Sequence, residues 1–174
     1  MGGGHPESER IRPLYSAEQR ARRDRSPWTL VQGVLAPVQF VIFLISLSLV
    51  LRFLVTGAGK GAAIDSVVVK TIALYAIMIT GSIWEKDVFG KYLFAAPFFW
   101  EDVFSILVLA LHSAYLAALA FDVLEAHALM LLALAAYAAY VVNAAQFLLK
   151  LKAARLETGA DPGFRSTAQP EPAS

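Results

Sequence analysis

Two short words in the chain nearly repeat each other: Trp84-Glu85-Lys86-Asp87-Val88-Phe89 and Trp100-Glu101-Asp102-Val103-Phe104. They place four carboxylates close together in a chain that is 57% hydrophobic and only 17% charged. Paired carboxylates suit general acid–base chemistry, because neighbouring carboxyl groups can divide the roles of proton donor and proton acceptor. Spacing sorts the four. Glu85 closes a series Thr71, Tyr75, Met78, Ser82, Glu85, and Glu101 opens a series Glu101, Ser105, Val108, His112, Tyr115. Steps of three or four residues keep each series on one helix face, so both glutamates point inward. Pro97 starts the helix that carries Glu101 and Asp102, and the dipole at a helix N-terminus favours negative charge there, which accounts for both without any function. Asp87 is assigned to water.

His112 sits about 21 Å along its helix from a start near Phe98, at 1.5 Å per residue. It reads as the one titratable group well inside the chain's apolar stretches, and such groups default to a functional hypothesis. Two readings stand. The imidazole is neutral and hydrogen-bonded to Asn143, Gln39 or a backbone carbonyl, or it is an axial ligand to a metal carried by a bound pigment. The aromatic density around the repeated word (Phe89, Tyr92, Phe94, Phe98, Phe99, Trp100) fits interface anchoring, or a flat aromatic ligand whose carboxylate pairs with Lys86 or Lys91.

These residues need elements to hold them, and the apolar runs supply four: Trp28–Val55, Ala62–Trp84, Phe98–Phe121 and Ala126–Leu149, each long enough as a helix to cross a hydrocarbon layer of about 30 Å. The expected fold is all-α, an integral membrane bundle of four transmembrane helices. Polar and small residues mark packed faces in lipid. Gln32, Gln39 and Ser46 recur on the first span, and Ala136, Tyr140, Asn143, Phe147 and Lys150 form the stripe of the fourth. Residues 1–26 read as a basic, largely disordered tail with a short interfacial helix opened by a Ser16/Gln19 capping box, 27–152 as the membrane domain, and 153–174 as a disordered tail. The first span is too long, and lacks the small-residue cleavage pattern, for a removable signal.

Lys and Arg concentrate in the N-terminal tail, in the loop of Lys86 and Lys91, and at Lys150, Lys152 and Arg155, while "FDVLEAHA" has none. Both termini are therefore expected in the cytoplasm, with Lys70 counted among the flanking charges of the first loop. The absence of cysteine excludes disulfides and thiolate chemistry. "TGAGKGAA" lacks the full phosphate-loop spacing and is a glycine turn. No nucleic-acid partner is expected; the lipid membrane is. Alanine runs such as "LALAAYAAY" allow close helix packing within the chain or in a homo-oligomer.

The segments "VVVKTIALYAIMITGSIWEKDVFGKYLFAAPFFWEDVFSILVLALHSAYL", "SPWTLVQGVLAPVQFVIFLISLSLVLRFL" and "ALAAYAAYVVNAAQFLLKLKAARLE" resemble the 3-vinyl (bacterio)chlorophyllide hydratases of bacteriochlorophyll biosynthesis, over roughly residues 13–157. The resemblance implies a hydro-lyase without a cofactor that adds water across the vinyl group of a chlorophyllide, whose magnesium belongs to the substrate. It also implies the inner or intracytoplasmic photosynthetic membrane of a bacterium, and other enzymes of the same pathway as partners. Such a reaction needs an acid and a base. Glu101 and Glu85 are the candidates, in that order, with Asp102 in reserve. His112 would hold the substrate magnesium, Gln39, Asn143 and Gln146 would position water or a ring carbonyl, and Lys86, Lys91 and Trp100 would meet the ligand at the rim. The competing readings are a non-catalytic tetrapyrrole-binding or assembly factor and, with less support, a small transporter.

Overall fold

The computed structural model describes residues 14–159, with side chains described through residue 153. The described residues fold into helices alone: α1 (Ala17–Arg25), α2 (Pro27–Thr56), α3 (Lys60–Phe89), α4 (Phe99–Ala120, entered by a 3-10 turn over Ala96–Phe98) and α5 (Ala126–Gly159). α2 to α5 are long and apolar enough to cross a membrane. Large apolar side chains point outward along them, among them Leu30, Val34, Val41, Ile45 and Val55. That is the pattern of helices whose solvent is lipid.

Local chemistry sets the boundaries. The Ser16 hydroxyl accepts from the Gln19 N–H at 3.1 Å and the Gln19 side chain accepts from the Ser16 N–H at 2.9 Å, closing the capping box that opens α1. Pro27, at the first turn of α2, lacks only an N–H that would have no helical partner there. The turn between α2 and α3 is made by Gly57 and Gly59, with φ of 70° and 84°, values that a Cβ disfavours. Gly90 ends α3 in the same left-handed conformation, with φ of 80°.

α2 packs chiefly on α3, and α4 on α5, so the bundle is two helical hairpins set side by side. Within the first, the Gln32 amide donates to Thr80 at 2.7 Å and the Trp84 indole donates to Thr29 at 2.9 Å. Within the second, the Asn143 amide donates to Ser105 at 2.8 Å. Between them run two hydroxyl pairs, Ser46 with Tyr137 at 2.5 Å and Tyr75 with Ser113 at 2.8 Å. An apolar core of Phe43, Val50, Val67, Tyr115 and Met130 fills the end near the Gly57 turn. A smaller aromatic one, Tyr15, Val88 and Phe98 with Trp84, Phe89 and Phe147 around it, closes the opposite end beneath α1.

Two helices depart from the sequence reading by more than one residue. α3 begins at Lys60 and runs to Phe89, beyond both limits of the expected span. α5 continues to Gly159, into the segment read as disordered tail, because residues 150–157 contain neither glycine nor proline. The readings on 1–13 and 160–174 lie outside the described residues.

Candidate functional site

The two copies of the repeated word end up face to face. Glu85 comes from the last turns of α3, Glu101 and Asp102 from the first turn of α4, and all three are buried, at 5%, 6% and 3% exposure. The connecting segment folds back over them and offers its own backbone. The Phe94 N–H donates to Asp102 Oδ2 at 2.6 Å, and the Ala95 N–H donates to Glu85 Oε2 at 3.3 Å. Phe94 reaches this geometry with φ of 59°, a left-handed conformation costing a non-glycine residue on the order of 1–3 kcal/mol and typical of functional segments. Adjacent N–H groups of one segment thus hold the carboxyl groups of Glu85 and Asp102 as neighbours.

Glu101 has a different partner. Its Oε2 lies 2.6 Å from Lys150 Nζ, brought from α5, and the same ammonium donates to the Pro97 carbonyl and lies 5.2 Å from the centre of the Phe98 ring. The rim thus holds two unlike units: a carboxyl–carboxyl pair and a carboxylate matched by a cation. Stacked and edge-on rings wall them in, with Trp84, Phe89 and Phe147 each 5.8–5.9 Å from Phe98, and Tyr15 5.7 Å from Phe89.

Other expected site residues lie elsewhere. Lys86, Lys91 and Trp100 are exposed on the outside of the rim; Lys86 Nζ donates to the Gly90 carbonyl at 3.2 Å, and Trp100 is 66% exposed. Gln39 is buried on α2. Asn143 uses its amide nitrogen on Ser105, and the side-chain oxygens of Asn143 and Gln146 have no hydrogen-bond partner among the described residues. Asp87 is exposed, as expected.

Deeper in the bundle, His112 is fully buried. Of the partners considered for it, the backbone carbonyl is the one found: Nδ1 lies 2.8 Å from the Val108 oxygen. A carbonyl only accepts, so Nδ1 carries the proton and Nε2 presents its lone pair, with no hydrogen-bond partner among the described residues. His112 is not alone at this depth, which corrects the sequence reading. Lys70, taken there for a flanking charge, has no exposed surface; it is the eleventh residue of α3. Its Nζ lies 3.8 Å from the centre of the Tyr140 ring and makes no hydrogen bond among the described residues. A lysine at such depth costs about 2.5–3.5 kcal/mol on insertion scales.

A family model described as 2-vinyl bacteriochlorophyllide hydratase (BCHF) matches residues 15–153. The chain is 58% identical over 156 residues to the 2-vinyl bacteriochlorophyllide hydratase of Rhodobacter capsulatus, spanning 90% of this chain and 91% of that one. It is 62% identical over 147 residues to the protein of the same name from Cereibacter sphaeroides, spanning 84% and 91%. No solved structure matches. With the match running from Tyr15 through α5, and so over the whole carboxylate rim, the chain belongs to the 2-vinyl bacteriochlorophyllide hydratase family.

Proposed function

We propose that this protein adds water across the vinyl group of a bacteriochlorophyllide-type magnesium tetrapyrrole at the carboxylate rim, using no cofactor of its own. The observation that carries the reading is the meeting of Glu85, Glu101 and Asp102 in one buried cluster, in a chain whose relatives are named for this hydration. In the reaction the terminal vinyl carbon takes a proton, the cation left on the inner carbon is spread over the macrocycle, water adds to it, and a proton returns to the protein. No electrons are gained or lost. Acid, base and water suffice.

The geometry supports a division of labour. Two neighbouring buried carboxyls, each held by a backbone N–H of the same segment, favour keeping one proton between them, and the Glu85–Asp102 pair is the donor in this reading. Glu101, its charge balanced by Lys150, is the base that takes a proton from water. Spacing left open which carboxylate is acid and which is base; this division gives each a role and moves Asp102 from reserve to principal. His112, with its Nε2 lone pair uncommitted, holds the substrate magnesium, and Asn143 and Gln146 offer oxygens toward water or a ring substituent. The membrane is the bacterial inner or intracytoplasmic photosynthetic membrane. Both termini and the rim face the cytoplasm, a reading supported by the basic residues of α1 and of the Lys86–Lys91 loop.

The test is purified protein incubated with vinyl chlorophyllide, following the blue shift that loss of vinyl conjugation produces. Asp102→Asn and Glu85→Gln should each slow hydration at least about 100-fold, the scale of a general acid, while pigment still co-purifies. Binding without conversion by the unaltered protein would make it a pigment-binding factor instead.

A further inference from the structure

Lys70 is left without a role by the rim. It is a lysine with no exposed surface, no anion beside it and no hydrogen bond among the described residues. Tyr140 stands against it from α5, and Tyr115 of α4, one turn beyond His112, adds a second fully buried donor, its hydroxyl also without a hydrogen-bond partner among the described residues. Lys70 belongs to the α2–α3 hairpin, Tyr115 and Tyr140 to the α4–α5 hairpin. The donors therefore flank the seam between the two hairpins. A buried ammonium and a phenol facing such a seam suit a carboxylate arriving on an apolar body.

Resting on the function proposed above, we infer that Lys70 anchors the free carboxylate side chain of the tetrapyrrole, and that this contact makes the protein select pigment acids over their esters. Order along the bundle supports it. Glu101 and His112 are eleven residues apart on α4, about 16 Å, and Glu85 and Lys70 fifteen apart on α3, about 22 Å. Rim, His112 and Lys70 thus follow one another in the order vinyl group, metal and acid side chain on a macrocycle lying along the seam. Lys70 is a positioning residue in this scheme and touches no reacting atom.

The experiment uses the full chain in detergent or lipid discs, with magnesium vinyl chlorophyllide as the free acid and as its methyl ester, measuring binding by pigment fluorescence and hydration by absorbance. The unaltered protein should bind the acid about 10- to 100-fold more tightly than the ester, as expected for a hydrogen-bonded charge. Lys70→Met should erase that difference by weakening the acid alone, raising its KM with kcat little changed, and Lys70→Arg should restore part of it. Equal affinity of the unaltered protein for acid and ester overturns the inference even if Lys70→Met fails to fold. So does a variant that weakens both pigments alike, which would make Lys70 a packing residue. Preference for the acid in binding, with neither pigment hydrated, upholds the anchor and rejects the hydratase reading.

Discussion

Glu101 and Lys150 join α4 to α5 at the rim, and 26% of the Lys150 side chain remains exposed, against 7% of the Glu101 side chain. Breaking a fully buried ion pair by removing one partner costs about 3–5 kcal/mol. With the cation partly in contact with solvent, we expect Lys150→Met to lower stability by roughly 1–3 kcal/mol, and adding Glu101→Gln to recover much of that loss. Thermal melts of the two single variants and the double variant give the coupling directly; simple additivity would mean that the pair contributes nothing. The inward position of Glu101 was legible as the first member of a stripe whose every residue is buried. Asp102 was not, because it stands one residue off that stripe and owes its burial to the folded-back segment that ends at Ala95. Lys70 was hidden for a similar reason. A cation eight residues inside an expected span reads as one that reaches the interface, and what encloses it, Tyr140, lies seventy residues away in the chain.

At the scale of elements, α1 is held by Tyr15, just before the helix and outside the membrane-spanning segments. Tyr15 is buried against Phe89 and Phe98, with the Arg23 guanidinium 4.9 Å from its ring centre. Burial raises its pKa above the ordinary 10.0, and the charge and hydrogen bond of Arg23 only partly offset this. The docked state thus prefers the neutral phenol, so the stabilisation is complete below pH 10 and is lost as pH rises through the raised value. We expect α1 to undock at high alkaline pH, seen as a change in Trp84 fluorescence, and Tyr15→Phe to remove that transition. A transition unchanged in the phenylalanine variant would assign it to another group. The elements themselves were the most legible part of the chain: the spans, the Ser16 capping box and the glycine turn follow from composition and local chemistry. Their ends were less so, since the interfacial turns of α3 and α5 are too polar to count as membrane-crossing yet, apart from Gly61 and the terminal Gly159, contain no glycine or proline.

For the whole molecule, the lack of cysteine makes sidedness directly measurable. In intact cells, a membrane-impermeant thiol reagent should label Ala58→Cys, in the turn between α2 and α3, and spare Asp87→Cys, near the rim, until the membrane is opened. The reverse pattern would place the rim on the outer side and reject the orientation read from the basic loops.

The segment between the two copies of the repeated word holds Glu85 and Asp102 through the N–H groups of Ala95 and Phe94. Those donors belong to the main chain, so they survive nearly every side-chain replacement. An alanine scan passes over them in silence, and drift of the segment's sequence leaves them in place. Proline is the one residue that deletes such a donor. The genetic signature of this contact is therefore a proline at position 94 or 95 that breaks it, where truncating the Phe94 side chain leaves it standing.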